Sequence, residues 1–399
     1  MNMETKKLFI YIASLLFTFN VMAQDRLVVV KKDGKKVKYA LSKIDSLVVG
    51  EKPTCMPVTV EETMLEFRIN EDSTTAEVDC GSCKLKMRDN PVVFVIPCQI
   101  VQNGKVYNVT GIGSCAFEGC SDMPDFIIPN FITYIGNEAF IGTNIKTIEI
   151  PSSVIKIDDR AFSNCDSLVS AEISSSVAEI GEGVFAGCEN LTLINVSEDN
   201  QKYSSLDGVL YDKDKTTLLK APMNIPSVKI TSSVKVIGDL ALESCRNLTE
   251  IEIPSSVIKI GDGAFSKCDS LFSVEISSSV AEIGDWVFSE CSSLTSINVS
   301  EDNQKYSSLE GVLYNKDKTT LLTAPVNIQS IKIPTSVNVI GEGAFESCRN
   351  LTEIEIPSSV TKIAGWTFYG CDNLKTAKVP NNCALEKYAF PSTTEIIRY

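Results

Sequence analysis

Apolar and polar residues alternate in short runs that return every 23 residues through most of the chain. In the run ending at Pro254, Leu248, Ile251 and Ile253 point to one side and Glu250 and Glu252 to the other. That period of two is the mark of a short strand with one buried face. Pro254 ends the run because it has no N–H for a further ladder bond. Between successive runs lies Ala-Phe-x-x-Cys-x-x-Leu, whose three-residue spacing predicts a single helical or 3₁₀ turn, too short for a stable helix. One phenylalanine column recurs at Phe117, Phe140, Phe162, Phe185, Phe265, Phe288, Phe345, Phe368 and Phe390, with Leu242 standing in once. Gly261 and its counterparts, such as Gly113 and Gly284, supply a backbone angle or a clearance that a side chain would forbid. A fixed period of this length predicts a solenoid, each coil burying its apolar side only against its neighbours.

A larger unit is superimposed. Val154, Val257 and Val360 each end an I-P-S-S-V and lie 103 residues apart. Segments 197–234 and 300–337 match at 30 of 38 positions, which records a duplication. Within them, 197–233 and 300–336 are inserts that replace a plain coil. Asp207-Gly208, between two apolar-alternating runs, predicts a hairpin, and Lys213-Asp214-Lys215 a second turn. The expected organisation is a signal peptide at 1–23, a β-hairpin segment at 24–54, a β-rich cap at 55–108 and a solenoid at 109–399. About eleven or twelve coils at ~4.8 Å each make a stack on the order of 55–60 Å long.

The repeats resemble those of BspA-type leucine-rich repeat proteins of bacterial cell surfaces. The resemblance runs roughly from Pro91 to Phe390, and Ile96-Pro97, Asn103 to Tyr107 and Val109 to Gly113 look like that family's usual first coil. Serine (Ser153, Ser256, Ser359) stands where eukaryotic leucine-rich repeats carry asparagine. The resemblance implies an α/β leucine-rich repeat solenoid, with one parallel strand and one short helical or 3₁₀ turn per coil. Several members are adhesins, which implies a protein ligand: a host matrix protein or a bacterial surface protein.

Lys6-Lys7, the apolar run Leu8 to Phe17 and the small-residue site Val21-Met22-Ala23 fit a secretory signal cleaved after Ala23. No cysteine lies at that site to carry a lipid, and no stretch approaches the ~18 apolar residues of a membrane span. The expected location is therefore exported, at the cell surface or extracellular, with the periplasm as the other compartment. The chain has 37 Lys and Arg against 51 Asp and Glu, a net −14, and no histidine. Histidine-based triads, H-E-x-x-H metalloproteases and His-ligated zinc are thereby excluded. The acidic balance also disfavours nucleic acid and anionic membranes. Residues 1–50 carry +5, with a cluster at Lys31, Lys32, Lys35, Lys36 and Lys38, so the rest carries −19. Such a cluster is a solvated hairpin guarding an edge or a contact for an acidic partner.

Of 14 cysteines, eight (Cys120, Cys165, Cys188, Cys245, Cys268, Cys291, Cys348 and Cys371) hold one repeat position. Each follows a buried Phe or Leu by three residues. Coil stacking sets neighbours ~4.8 Å apart with parallel Cβ vectors, poor disulfide geometry, so they read as inert buried thiols rather than a metal or redox array. Cys80-Gly-Ser-Cys83 lacks the strand-then-helix setting of a redox motif. With Cys55 and Cys98 it leaves a disulfide or a zinc ribbon open, the disulfide fitting an exported protein.

Two surfaces are candidates for binding. The outward strand column runs Glu149, Glu172, Asn195, Lys229, Glu252, Glu275, Asn298, Lys332, Glu355 and Lys378. It reads as a solvated face, as a recognition surface for a polar or basic partner, or as a weak calcium site. Trp286 and Trp366 share a repeat position held elsewhere by Gly183, Gly263 and Gly343, by Arg160 or by Leu240, and should face outward. With Tyr369, Tyr211 and Tyr314 they are interface anchors, or they pack under the inserted hairpins. No cofactor, metal or catalytic constellation is expected. The sequence thus points to a non-catalytic, exported protein-binding module, probing partners through its strand face or insert tips. A periplasmic structural or assembly module and a secreted glycan hydrolase are the alternatives.

Overall fold

The computed structural model describes residues 26–30, 36–40, 57–60, 65–80, 96–120, 123, 126–225 and 227–399. The segment expected as a signal, together with Cys55 and Cys83, lies outside the described residues. The chain divides into two units, Met1–Met56 and Pro57–Tyr399. The first contains an antiparallel hairpin, Arg26–Val30 with Lys36–Ala40.

The second unit is a solenoid of about 12 turns with parallel strands. It begins with strand Lys105–Ile112, which pairs antiparallel with Gln99–Gln102 and parallel with both Thr75–Val78 and Tyr134–Ile135. The buried Glu77 carboxylate clamps this start by accepting hydrogen bonds from Arg68 and from the Tyr134 hydroxyl.

Each regular coil then contributes three sides. The long strands, such as Ser170–Ile173, pair in the register set by the 23-residue period, Glu172 beside Glu149 on one flank and Asn195 on the other. Two-residue strands such as Lys156–Ile157 form a second parallel ladder. The third side is the Ala-Phe-x-x-Cys stretch, and it is not the expected helical or 3₁₀ turn: no helix occurs in the coils among the described residues. Its amides alternate in direction. Ser266 N and Cys268 N bond within the coil to Gly263 O and Phe265 O at 2.9 and 3.3 Å. Gly263 N, Phe265 N and Lys267 N instead reach Asp285 O, Val287 O and Ser289 O of the next coil at 2.8–3.0 Å. A helix would turn every amide along its own axis. Left-handed residues at Gly263 (φ 58) and Lys267 (φ 59) rotate alternate amides outward, so this side is a ribbon of turns joined coil to coil. Gly261 supplies clearance, as expected, since a Cβ there would lie 2.6 Å from the Asp239 amide nitrogen.

The phenylalanine column is buried from Phe117 to Phe368, with Phe390 half-buried at its end, and it stacks. Ring centroids are 5.2 Å apart for Phe117–Phe140, 5.1 Å for Phe140–Phe162 and 5.7 Å for Phe265–Phe288.

The inserts reorganise this pattern. Tyr203–Leu206 and Val209–Asp212 form the expected hairpin, turning through Asp207 (φ 51) and Gly208 (φ 83). Thr217–Lys220 then pairs antiparallel with the hairpin and parallel with Val236–Ile237, returning the chain to the second ladder. The strand Val209–Asp212 is buried on both faces. Leu210 packs into the core behind it, and Val209 and Tyr211 into the core ahead. Val312, Leu313 and Tyr314 repeat this in the second insert, so the interior is three cores separated by two partition strands. The long-strand face is divided to match, into three sheets of three strands. Lys229 and Lys332, expected to continue the outward column, lie outside any strand.

Candidate interaction surface

Glu149, Glu172, Glu252, Glu275 and Glu355 are all exposed on the long-strand face. Each sheet carries its own patch. Asn195 Nδ2 donates to Glu172 Oε2 at 2.7 Å, and Asn298 Nδ2 to Glu275 Oε1 at 2.7 Å. Lys378 Nζ lies 3.4 Å from Glu355 Oε2. Glu149 beside Glu172, and Glu252 beside Glu275, are like charges in register, an arrangement that does not favour the ladder. Among the described residues no group of His, Cys, Asp or Glu is placed to hold a metal ion. No helix among them is long and apolar enough to cross a membrane.

The inserted tyrosines divide into two kinds. Tyr211 and Tyr314 are each 1% exposed, so their rings belong to the partition strands and present nothing to a partner. Burial raises both phenols, Tyr314 to about 12. Tyr203 and Tyr306 close the second ladder instead, their hydroxyls accepting the amides of Ile180 and Ile283 at 3.0 Å.

Asn200 and Asn303, which the apolar pattern does not mark, are fully buried and fully bonded. Asn303 Nδ2 donates to Ser277 O and Val280 O at 2.9 Å, while Oδ1 accepts from Lys305 N and Tyr306 N at 2.8 Å. Asn200 makes the same four bonds one unit earlier. Each fastens the start of an insert to the preceding coil.

The aromatic column lies on the turn ribbon and faces outward, as expected. Trp286 (φ 58) and Trp366 (φ 56) occupy the left-handed position filled by Gly183, Gly263 and Gly343 in other coils. They are 40% and 39% exposed. The Trp286 ring lies over Gly343, where a Cβ would meet its Cζ3 at 2.7 Å. Trp366 gathers a cluster: its ring centroid is 5.3 Å from that of Tyr369 and 4.7 Å from that of Tyr388. Lys387 Nζ sits 4.6 Å over the Tyr388 ring. Tyr388 (φ 62) is the next residue of the same column, and its shared repeat position is the signal that would have marked it.

The thiol column is buried, with a role the pattern did not reveal. Cys188 Sγ donates to Phe162 O at 3.0 Å, Cys291 to Phe265 O at 3.0 Å and Cys371 to Phe345 O at 2.9 Å. The thiols thus bond backbone carbonyls that the ribbon's alternation turns inward. One expectation is corrected: Cys120 is disulfide-bonded, as is Cys98. Cys80 is a free, exposed thiol, so the C-x-x-C does not close on itself.

Burial pushes Cys245 up to about 12, and Cys268 is raised further by its bond with Cys291 and by burial. Such thiols stay protonated and unreactive. Alkylation of the native chain near pH 8 is expected to modify Cys80 quickly, with Cys165 to Cys371 reacting only after unfolding. Rapid native labelling of the column, read by peptide mass, would contradict this packing. Cys245 and Cys268 also make stability fall as pH rises. Cys245 ionises near 9.0 when unfolded and only near 12 when folded, so its contribution is complete below 9.0 and lost towards 12.

A BspA type leucine-rich repeat region, in six copies, matches residues 99–206, 218–321 and 324–398. The solved structure of a leucine-rich repeat protein from Eubacterium ventriosum is 23% identical, with a TM-score of 0.57, covering 84% of this chain and 94% of its own. A leucine-rich cell surface protein from Faecalibacterium prausnitzii is 24% identical, with a TM-score of 0.41, covering 79% of this chain and 92% of its own. A leucine-rich repeat protein from Bacteroides ovatus is 22% identical, with a TM-score of 0.41, covering 84% of this chain and 98% of its own. The first of these shares the fold. Among curated proteins, none matches.

Proposed function

The chain belongs to the BspA-type leucine-rich repeat family, and from that premise we propose that it is an exported, non-catalytic module that binds a protein ligand at the cell surface, as an adhesin. The observation that carries this reading is the cluster of Trp366, Tyr369 and Tyr388. A bulky residue in the left-handed region costs about 1–2 kcal/mol relative to glycine. Trp366 and Tyr369 keep 39% and 55% of their surface exposed. Large aromatic rings held out on a rigid ribbon, at a position that other coils fill with Gly183, Gly263, Gly343, Arg160 or Leu240, suit an interface anchor. The acidic strand patches supply a second contact and favour a partner with basic groups. Export is supported by the Lys6 to Ala23 pattern and by the disulfide-bonded Cys98 and Cys120.

Glycine gives a clean test, since it restores what the backbone prefers. Trp366→Gly is expected to leave the unfolding free energy in urea within about 1 kcal/mol of the parent, while ligand affinity falls about tenfold or more. Destabilisation of about 3 kcal/mol, with affinity per folded molecule unchanged, would make the ring a packing residue and remove the main support for this reading. Protease shaving of intact cells tests the location: surface display predicts loss of the chain, and full protection contradicts it.

A further inference from the structure

The two copies of the 103-residue unit differ at one groove. In the first copy Arg246 spans the gap between the coils on either side of the insert. Its Nη1 donates to Glu189 Oε1 at 2.7 Å, and its Nε lies 3.6 Å from Asp269 Oδ2. The matching residues one unit later are Arg349, Ser292 and Asp372. The arginine persists, with Nε 3.9 Å from Asp372 Oδ2, but serine has replaced the bridging carboxylate. The gap is now an open cavity of about 250 Å³, lined by Arg349, Ser292, Asn327, Asn350, Asp269 and Glu290 among others.

The acids in this lining already have cations. Asp269 faces Arg246 and accepts the Ser292 hydroxyl at 3.2 Å, and Glu290 lies 4.0 Å from Lys267 Nζ. Arg349 makes no side-chain contact across the gap to match that of Arg246. A guanidinium that keeps only Asp372, and lacks the second carboxylate that Arg246 has, is the strongest single determinant in the groove, because its fork offers two parallel donors to a planar anion. The amides of Asn327 and Asn350, bonded to each other at 2.5 Å, form the neutral wall, suited to hydroxyl groups. The volume lies below that of a drug-sized pocket and suits one small ring.

We propose that this groove binds a sugar acid, whose carboxylate takes the place on Arg349 that Glu189 takes on Arg246. The first copy of the unit holds its own carboxylate; the second receives one from outside. The cavity is lined by residues other than Trp366, Tyr369 and Tyr388, and the proposal does not rest on the protein-binding reading.

The test is a titration of the full chain with sodium D-glucuronate, followed by NMR at constant ionic strength, with D-glucose, acetate and N-acetyl-L-glutamate in parallel. Saturable binding of glucuronate in the millimolar range is expected, with the other three about tenfold weaker or more. Ser292→Glu, which reproduces the closed first copy, and Arg349→Gln should each reduce affinity about tenfold or more. Arg160→Gln, on a distant coil, should leave it unchanged. Absence of saturable glucuronate binding, or binding indifferent to both groove variants, overturns the proposal. Tighter binding of N-acetyl-L-glutamate overturns the assignment to a sugar acid.

Discussion

Replacing Asn303 with alanine is expected to lower stability by about 3 kcal/mol or more, and Asn200→Ala should do the same. Each side chain is fully buried and uses its whole bonding capacity on four backbone groups of two successive coils. Removing it strands two amides and two carbonyls away from water, at about 1–3 kcal/mol for each group left unpaired, partly relieved by local adjustment. The loss is also directional. Lys305 N and Tyr306 N open the strand Tyr306–Leu309, and Tyr306 in turn bonds the Ile283 amide. Hydrogen exchange in Asn303→Ala should therefore quicken first at Tyr306–Leu309 and at Ile283. An unfolding free energy in urea lowered by less than about 0.5 kcal/mol would mean that the insert is held by its partition strand alone.

Phe265→Ala should cost about 3–5 kcal/mol, the usual penalty for emptying a buried aromatic site. Its ring is fully buried and stacks on Phe288 at 5.7 Å. A solenoid is coupled only through nearest neighbours, so the damage should be local in structure and global in cooperativity. We expect one broad or two resolved unfolding transitions, with the third core, around Phe345 and Phe368, melting apart from the second. Phe265→Leu should cost less than half as much, since Leu242 fills the same column while fully buried. An unchanged single transition for Phe265→Ala would contradict a core divided by partition strands.

What the residues reveal depends on how many arrangements share a pattern. The strand register was legible, because a 23-residue period places Glu172 beside Glu149 and Glu275 beside Glu252 with no other choice. The ribbon was not, because Ala-Phe-x-x-Cys has the same three-residue spacing whether it forms a helical turn or successive reverse turns. Glycine at 183, 263 and 343 was the available hint, since a helix has no use for a left-handed residue there. The hairpin at Asp207-Gly208 was legible from turn chemistry, but its burial on both faces was not. Val209-Leu210-Tyr211 is continuously apolar, and the cores on its two sides come from distant coils. Of the two readings open for Tyr211 and Tyr314, interface anchors or packing under the hairpins, their burial excludes the first. Cys120 obeys the column's spacing, yet only its place at the end of the stack sets it apart from the buried thiols. The outward position of Trp286 and Trp366 followed from the repeat. Tyr388 sits in the same column and completes the cluster, although the repeat degenerates around it.

The most direct test of the central claim is binding of the purified chain to immobilised fibronectin, fibrinogen and mucin, at about 0.15 M salt so that weak charge attraction is screened. The account predicts saturable binding to one of them, micromolar or tighter, reduced about tenfold or more by Trp366→Gly combined with Tyr369→Ala. Binding to none of the three, or binding that survives those substitutions and neutralisation of Glu252 and Glu275, would contradict it.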